Sequence, residues 1–383
     1  MKTKPKILVV YPDDIELFAY YFRVLKNFQV DIVSTGKVGV IASRVGSVKT
    51  SYVTRNLIPE KHINHIPYPK NFKKKSFNYI FRFIYLILII PKIMSNKYKL
   101  IVFHNPPFFL SLLSPVFRLL CIKTAVFVMD DWVEMFSITN PFLYKLGIGK
   151  ILRFLEYFII LSTNKVFVLS KHLKNLYKPY NKNVQIVPLG VDIKIIKKIR
   201  PRRISKHLTI VFSGSLYKYK GVINLVKAFK IVRKNFPNLK LLIIGEGPIK
   251  EELKELARNE KNIIFTGALT YEKTISLLKG SDIAAIPFEK EKVNWTSISH
   301  KFFDYMACHL PIVYTYTGPH AYYIRKFKIG IEAEPNPESI AEKLTKLIKN
   351  EKLRKKLKNN CKKFESKIDF RYLLKNFDNE ILI

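Results

Sequence analysis

The feature that most constrains this chain is a rhythm. Short apolar runs alternate with helical patterns, and the whole series is played twice. Residues 7–10, 30–34, 100–104, 124–129, 165–169 and 184–188 read as strands, with helical segments between them. Apolar runs of this length, separated by helices, fit a parallel sheet covered on both faces. The rhythm restarts with strands at 208–212, 240–244, 263–266, 283–287 and 312–315. Helices are expected between them, at 222–235, 249–258, 272–279 and 301–308, and again from 337 to about 378.

A chain of 383 residues exceeds what one hydrophobic core usually supports, so two domains are expected. The boundaries read as 1–195 for the first and 205–365 for the second, with a last helix, 366–383, free to pack back on the first domain. The dense basic stretch at 192–207, broken by Pro201, is the candidate linker. Two doubly wound sheets in series place a ligand cleft between the domains, near the carboxyl ends of the strands.

Charge is the most unusual compositional feature. The chain carries 67 Lys+Arg against 29 Asp+Glu, a net charge of +38. Residues 1–200 hold 32 bases and 10 acids, the remainder 35 and 19. Such a field attracts anionic lipid, phosphorylated substrates or nucleic acid, and a general compositional bias towards Lys produces the same numbers. No zinc finger, RRM or helix-turn-helix pattern is present, so no specific nucleic-acid partner is expected. Three scattered cysteines, Cys121, Cys308 and Cys361, suit neither a disulfide framework nor a metal site. The first residues lack the long apolar run and cleavage site of a signal peptide.

Lys73-Lys74-Lys75 precedes a run from Phe77 to Ile90 that Pro91 ends. Fourteen residues fall short of the roughly 20 needed to span a bilayer. The run reads both as a core helix on the first sheet and as an interfacial helix with its aromatics and lysines on a membrane.

Small residues cluster at the expected carboxyl edge of the second sheet. Ser213-Gly214-Ser215 follows one strand, with Lys220-Gly221 opening the next helix. Gly245-Glu246-Gly247-Pro248 follows the second strand, and Gly267 the third. Such loops let backbone N–H groups face a diphosphate at a helix N-terminus. They also serve as ordinary tight turns.

The stretch from Ser297 to Val313, containing Ser299, Lys301, Asp304-Tyr305-Met306-Ala307 and Pro311, resembles the signature of retaining GT-B glycosyltransferases, specifically glycosyltransferase family 4. That pattern runs roughly Ser-x-x-Lys-x-x-Glu-Tyr-Met-Ala-x-Gly-x-Pro-Val-Val. The upstream loops agree in order and spacing. Val187-Pro188-Leu189-Gly190-Val191-Asp192 is similar to the family's element at the domain junction. The resemblance is good from about 165 to 313. Before that it is carried only by His104-Asn105-Pro106-Pro107, Asp130-Asp131-Trp132 and the helix with Glu156.

The resemblance implies an α/β, GT-B architecture: two doubly wound Rossmann-like domains with parallel sheets facing an interdomain cleft. It implies that Asp304, where the family has Glu, accepts hydrogen bonds from the ribose diol. Lys220 neutralises the diphosphate, and Gly214 forms the phosphate loop. Ser215, Glu246, Gly267, Ser299 and Lys301 complete the donor-binding set. Lys220, Asp130 and Thr296 are the implied catalytic group. Four positions depart from the family pattern. Ser215 replaces the diphosphate Arg, and Thr296 replaces the first Glu of a Glu-x7-Glu pair. Met129 stands near the position of the family's N-terminal His, and His309 replaces a Gly.

The implied activity is transfer of a sugar from a UDP- or GDP-sugar to a lipid-linked or glycan acceptor with retention. The place of action would be the inner face of the cell membrane, on an anionic surface, with the protein cytoplasmic and peripheral. A catalytically weak homologue serving as a membrane-bound partner subunit is the other reading. Asp130-Asp131 and Asp13-Asp14 are adjacent pairs, poorly spaced to share an ion, so neither metal nor other cofactor is expected.

Overall fold

The computed structural model describes residues 4–10, 25–34, 40–45, 48–53, 63–67, 75–105, 108–296, 298–315, 318–375, 377 and 381. Asp13, Asp14, Lys73, Lys74, Pro106, Pro107 and Ser297 lie outside these residues. The chain splits into two compact units. One comprises Met1–Ala42, Val53–Pro188 and Leu374–Ile383, and the other Ser43–Tyr52 and Leu189–Leu373.

The strands of the first half are β1 (Lys6–Val10), β2 (Gln29–Ser34), β3 (Val40–Val45), β4 (Val48–Val53), β5 (Ile63–Pro67), β6 (Tyr98–Asn105), β7 (Thr124–Val128), β8 (Lys165–Val168) and β9 (Val184–Ile186). Strands β3 and β4 form a two-stranded sheet of their own. The other seven lie in the order β5-β2-β1-β6-β7-β8-β9, and each neighbouring pair is parallel. The core holds Phe103, Phe117, Val126, Ile159, Ile160 and Tyr177. Near the end of the chain, the ring of Phe377 meets Phe167 of β8 edge-on, with centroids 5.6 Å apart.

The second unit continues with β10 (Thr209–Ser213), β11 (Lys240–Ile244), β12 (Ile263–Gly267), β13 (Ile283–Ile286), β14 (Ile312–Thr315) and β15 (Gly330–Ala333). Their order is β12-β11-β10-β13-β14-β15, all parallel. All five residues of β10 are buried, as a central parallel strand covered on both faces requires. The helix Val222–Arg233 buries Val222, Leu225, Val226, Phe229 and Val232, the stripe of period 3.6 that lies on such a sheet. The chain leaves β10 in one direction for β11 and β12, then returns to the other side for β13. The switch point is therefore between β10 and β13, where doubly wound sheets open a crevice for ligands.

The sequence rhythm did not reveal β5, β15 or the β3–β4 pair. Strands β5 and β15 are edges, bonded on one side only, so they tolerate polar alternation. Strand β5 reads Ile63-Asn64-His65-Ile66-Pro67. In β15, Glu332 turns its carboxylate to Arg325 Nε at 2.8 Å and Tyr314 Oη at 3.0 Å. The basic stretch expected to be a linker is folded into the second unit. Asp192 caps the helix Ile193–Lys198. Arg203 forks onto Asp282 at 3.0 and 3.2 Å, and Lys279 donates to the carbonyl of Ile196 at 3.2 Å.

The helix Lys75–Leu88 is apolar on an inner and an outer side. Leu86 is buried in the core, while Ile80, Ile84, Ile87 and Leu88 are exposed on one side. Among the described residues, no helix is long and apolar enough to cross a membrane.

Candidate functional site

The site is built at the carboxyl edge of β10, on the switch side. Gly214 follows β10 with φ +135°, a backbone conformation open to glycine. A Cβ there would lie 2.6 Å from Lys301 Nζ, so the missing side chain is what admits the lysine. The loop is held from the next strand: Gly214 N donates to Ile244 O at 2.8 Å, and Leu216 N to Glu246 O at 2.9 Å.

Lys301 and Asp304 sit one turn apart on the helix His300–Ala307. Tyr305 clamps that helix to the strand end, its hydroxyl accepting from Ser213 N at 2.8 Å. Lys301 is 8% exposed, and its ammonium has no hydrogen-bond partner among the described residues. It lies 4.0 Å from the centre of the Phe212 ring. Burial, reinforced by the charge of Lys220, holds its pKa well below the lysine range. A buried cation with no anion beside it is costly. The arrangement is therefore set for an anionic ligand.

Lys220 also approaches Phe288. Its Nζ is 4.3 Å from that ring and 3.4 Å from Asn294 Oδ1. Asn294 is itself fixed, donating to Tyr219 O at 2.7 Å and Glu289 O at 2.9 Å. Gly221, with φ +65°, lets this turn close against β13, since a Cβ there would lie 1.7 Å from Pro287 O.

A third group, His320, was not identified from sequence. It is fully buried, packs edge-on against Phe288 at 5.2 Å, and has neither ring nitrogen hydrogen-bonded among the described residues. Burial first, then Lys220 and Lys301, push its pKa down to about 3. The only signal in the sequence was a histidine two residues past Gly318, at the start of the helix after β14.

Asp304 is partly exposed and accepts from Tyr271 Oη at 2.8 Å. Burial raises its pKa to about 7, while the Tyr271 bond opposes the rise. The carboxyl thus stands oriented one helical turn from the cationic group, which suits a diol next to a phosphate. Tyr271 is a second residue that the sequence reading missed.

The remaining expected donor contacts lie on the same sheet edge. Glu246 pairs with Lys250 at 2.6 Å, and a Cβ on Gly267 would meet Glu246 Oε1 at 2.8 Å. Ser215 is partly buried in the β10 loop, and Ser299 occupies the N-cap of the Lys301 helix. Thr296 is fully buried, its hydroxyl donating to Val293 O at 2.9 Å.

In the first unit, Asp130 follows β7 and is partly exposed. Its neighbour Asp131 is structural: it caps the helix Trp132–Thr139 and pairs with Arg153 at 2.6 Å. Arg153 also holds Glu156 at 2.6 Å. Burial raises the Glu156 pKa to about 7 despite the opposing pull of Arg153. His104 Nε2 lies 3.1 Å from Met129 Sδ, and burial lowers its pKa to about 3.

Two parallel doubly wound sheets, with Lys220 and Lys301 near the switch point of the second, define the class: the architecture is the GT-B fold. Solved structures agree. A sucrose-phosphate synthase from Thermosynechococcus elongatus superposes with a TM-score of 0.74 over 98% of both chains, at 12% identity. HepE of Anabaena, solved in complex with UDP-glucose, gives 0.69 over 98% of this chain and 99% of its own, at 13% identity. Residues 194–364 match the family described as Glycosyl transferases group 1. An uncharacterized glycosyltransferase of Methanocaldococcus jannaschii is 31% identical over 236 residues, 58% of this chain and 57% of the relative. The chain thus spans little more than half the length of the curated relatives it matches.

Proposed function

We propose that the protein is a glycosyltransferase that takes a sugar from a nucleoside diphosphate carrier and passes it, with retention, to a membrane-associated acceptor. The observation that carries this reading is Lys301: a buried amine without a hydrogen-bond partner among the described residues, beside Gly214 and sharing Phe288 with Lys220. A diphosphate supplies the missing charge. Asp304 receives the ribose hydroxyls, and Lys220 meets the charge that grows on the departing diphosphate, where electrostatic stabilisation acts most strongly. The UDP-glucose held by HepE supports a UDP-sugar as the first donor to try, with GDP-sugars next. Asp130, at the carboxyl end of β7, is the candidate for the acceptor side. The work is done at the cytoplasmic face of the membrane, without a metal ion.

Calorimetry with UDP, GDP, their sugars and the bare nucleosides tests the donor site. Asp304→Ala removes a charge-assisted bond of about 1.5–3 kcal/mol, hence roughly ten- to hundredfold in affinity, for nucleoside diphosphate and nucleotide sugar alike. Lys220→Ala weakens diphosphates and spares nucleosides. EDTA changes neither. Full affinity in both variants would sink the assignment.

A second reading, a weakly catalytic partner subunit, is favoured by Thr296, whose buried hydroxyl stands where the family pattern has a carboxylate. Transfer by the unaltered chain decides. An active enzyme loses turnover in Thr296→Glu, whereas a decayed one is silent or gains.

A further inference from the structure

The first unit leaves an unusual set of apolar side chains outside its core. The helix Gly149–Ser162 buries Glu156, Ile159 and Ile160 on one side. Its other side carries Ile151, Phe154, Phe158 and Leu161, all exposed, with Phe154 at 69%. Their spacing of three, four and three residues puts them on one face, and three turns of helix make that face about 15 Å long. A helix lying on a soluble domain has a polar outer side. Here both sides are apolar.

The face continues beyond the helix. In the preceding segment Phe142 is 72% exposed and Leu146 64%. The adjoining helix Ser114–Leu119 adds Val116 and Leu119, the latter 84% exposed. Arg118 Nη1 donates to Leu161 O at 3.5 Å, tying the end of that helix to the end of the long one. The charges on the surface are of one sign. From Asn140 to Leu155 the sequence holds Lys145, Lys150 and Arg153 and no acid. Lys145 and Lys150 are exposed. Glu156, the one carboxylate of the helix, is buried and paired with Arg153.

We propose that this surface, comprising the outer faces of residues 142–161 and of the helix Ser114–Leu119, inserts into the headgroup region of an anionic lipid bilayer. Large aromatic and aliphatic side chains flanked by lysines are what an interfacial helix presents to lipid, apolar groups entering the acyl boundary and ammoniums meeting phosphate. Charge selects lipid over a second copy of the chain: two such faces brought together would oppose Lys145 and Lys150 with their own counterparts. The surface is distinct from the lysine-led run at 73–91. It rests on exposure and charge rather than on the donor site, so vesicle binding and nucleotide binding fail independently.

Cys121, two residues past Leu119, is exposed, whereas Cys308 and Cys361 are buried. An environment-sensitive maleimide dye on Cys121 of the full chain therefore reports from the rim of the surface. Vesicles of phosphatidylglycerol and phosphatidylcholine are expected to shift its emission to the blue, and pure phosphatidylcholine much less. In sedimentation, Phe154→Ser with Phe158→Ser should weaken binding by at least tenfold. Lys145→Glu with Lys150→Glu should remove the preference for anionic lipid. Ile80→Ser with Leu88→Ser on the helix Lys75–Leu88 serves as the comparison. Nucleotide affinity should stay intact in all three, which shows that they are folded. Retained vesicle binding in the Phe154/Phe158 variant overturns the proposal. So does light scattering that finds a dimer dissolved by the same two changes.

Discussion

The two sheets are built alike, and they leave opposite things unsatisfied. In the first unit the buried charges settle one another: Arg153 lies between Asp131 and Glu156, at 2.6 Å from each. What it leaves open is apolar, the outer faces of its helices. In the second unit most large apolar residues are inside, as in the cluster around Phe212, Val226 and Phe229, and the exposed ones, such as Ile231 and Tyr322, are scattered. What it leaves open is charge, at Lys301. The contrast teaches where each half spends its instability. On the proposals made above, the unit that meets lipid would keep its ion pairs closed and apolar side chains out, and the unit that meets a diphosphate would do the reverse.

Removing a charge from each unit should therefore have opposite consequences. Arg153→Met leaves two buried carboxylates without their cation, so it should destabilise the protein by about 3 kcal/mol, the low end of the range for breaking a buried pair. Denaturant titration measures it, and an unchanged midpoint would break the comparison. Lys301→Met, by contrast, replaces a buried amine that has no hydrogen-bond partner among the described residues with an apolar chain of similar length. The ligand-free protein should gain about 1 kcal/mol. Diphosphate affinity should fall by about 2 kcal/mol, close to thirtyfold. A melting curve and a titration with UDP read the two effects on one sample.

A further test is one of pH. Asp304 titrates at about 7 in the folded chain, against an ordinary value near 3.8. Between those values the folded state keeps a proton that the unfolded state has lost, so stability falls as pH rises through that window. Binding of a bare nucleoside should do the opposite, strengthening as the carboxylate ionises near pH 7. Asp304→Asn should flatten both curves. Glu156, raised to about 7 in the other unit, contributes to the first curve and not to the second. Glu156→Gln thus separates stability from binding.

The central strands were legible because burial on both faces demands continuous apolar runs: residues 208–212 could be little else. The edge strands β5 and β15 were not, since a strand bonded on one side accepts Asn64, His65 or Glu332. In the site, Gly214, Lys220, Lys301 and Asp304 were legible through spacing that resembles a known family. His320 and Tyr271 were not, because each arrives from a separate βα connection and only the fold brings it near. The exposed face of residues 142–161 escaped for another reason. Period alone identifies the helix, but a helix apolar on two sides looks the same in sequence as one that is wholly buried.

The bond from Ser213 N to the hydroxyl of Tyr305 has a further consequence. It joins the strand end that carries the phosphate loop to the helix that carries Lys301 and Asp304. With Lys301 and Asp304 three residues apart, about 4.5 Å along the axis, the helix acts as a ruler of fixed length. If the proposed nucleotide binds here, the distance from ribose to phosphate must match before both ends can be held together. Because every nucleotide shares its ribose and first phosphate, such a span would tell nucleotides from bare nucleosides rather than count phosphates.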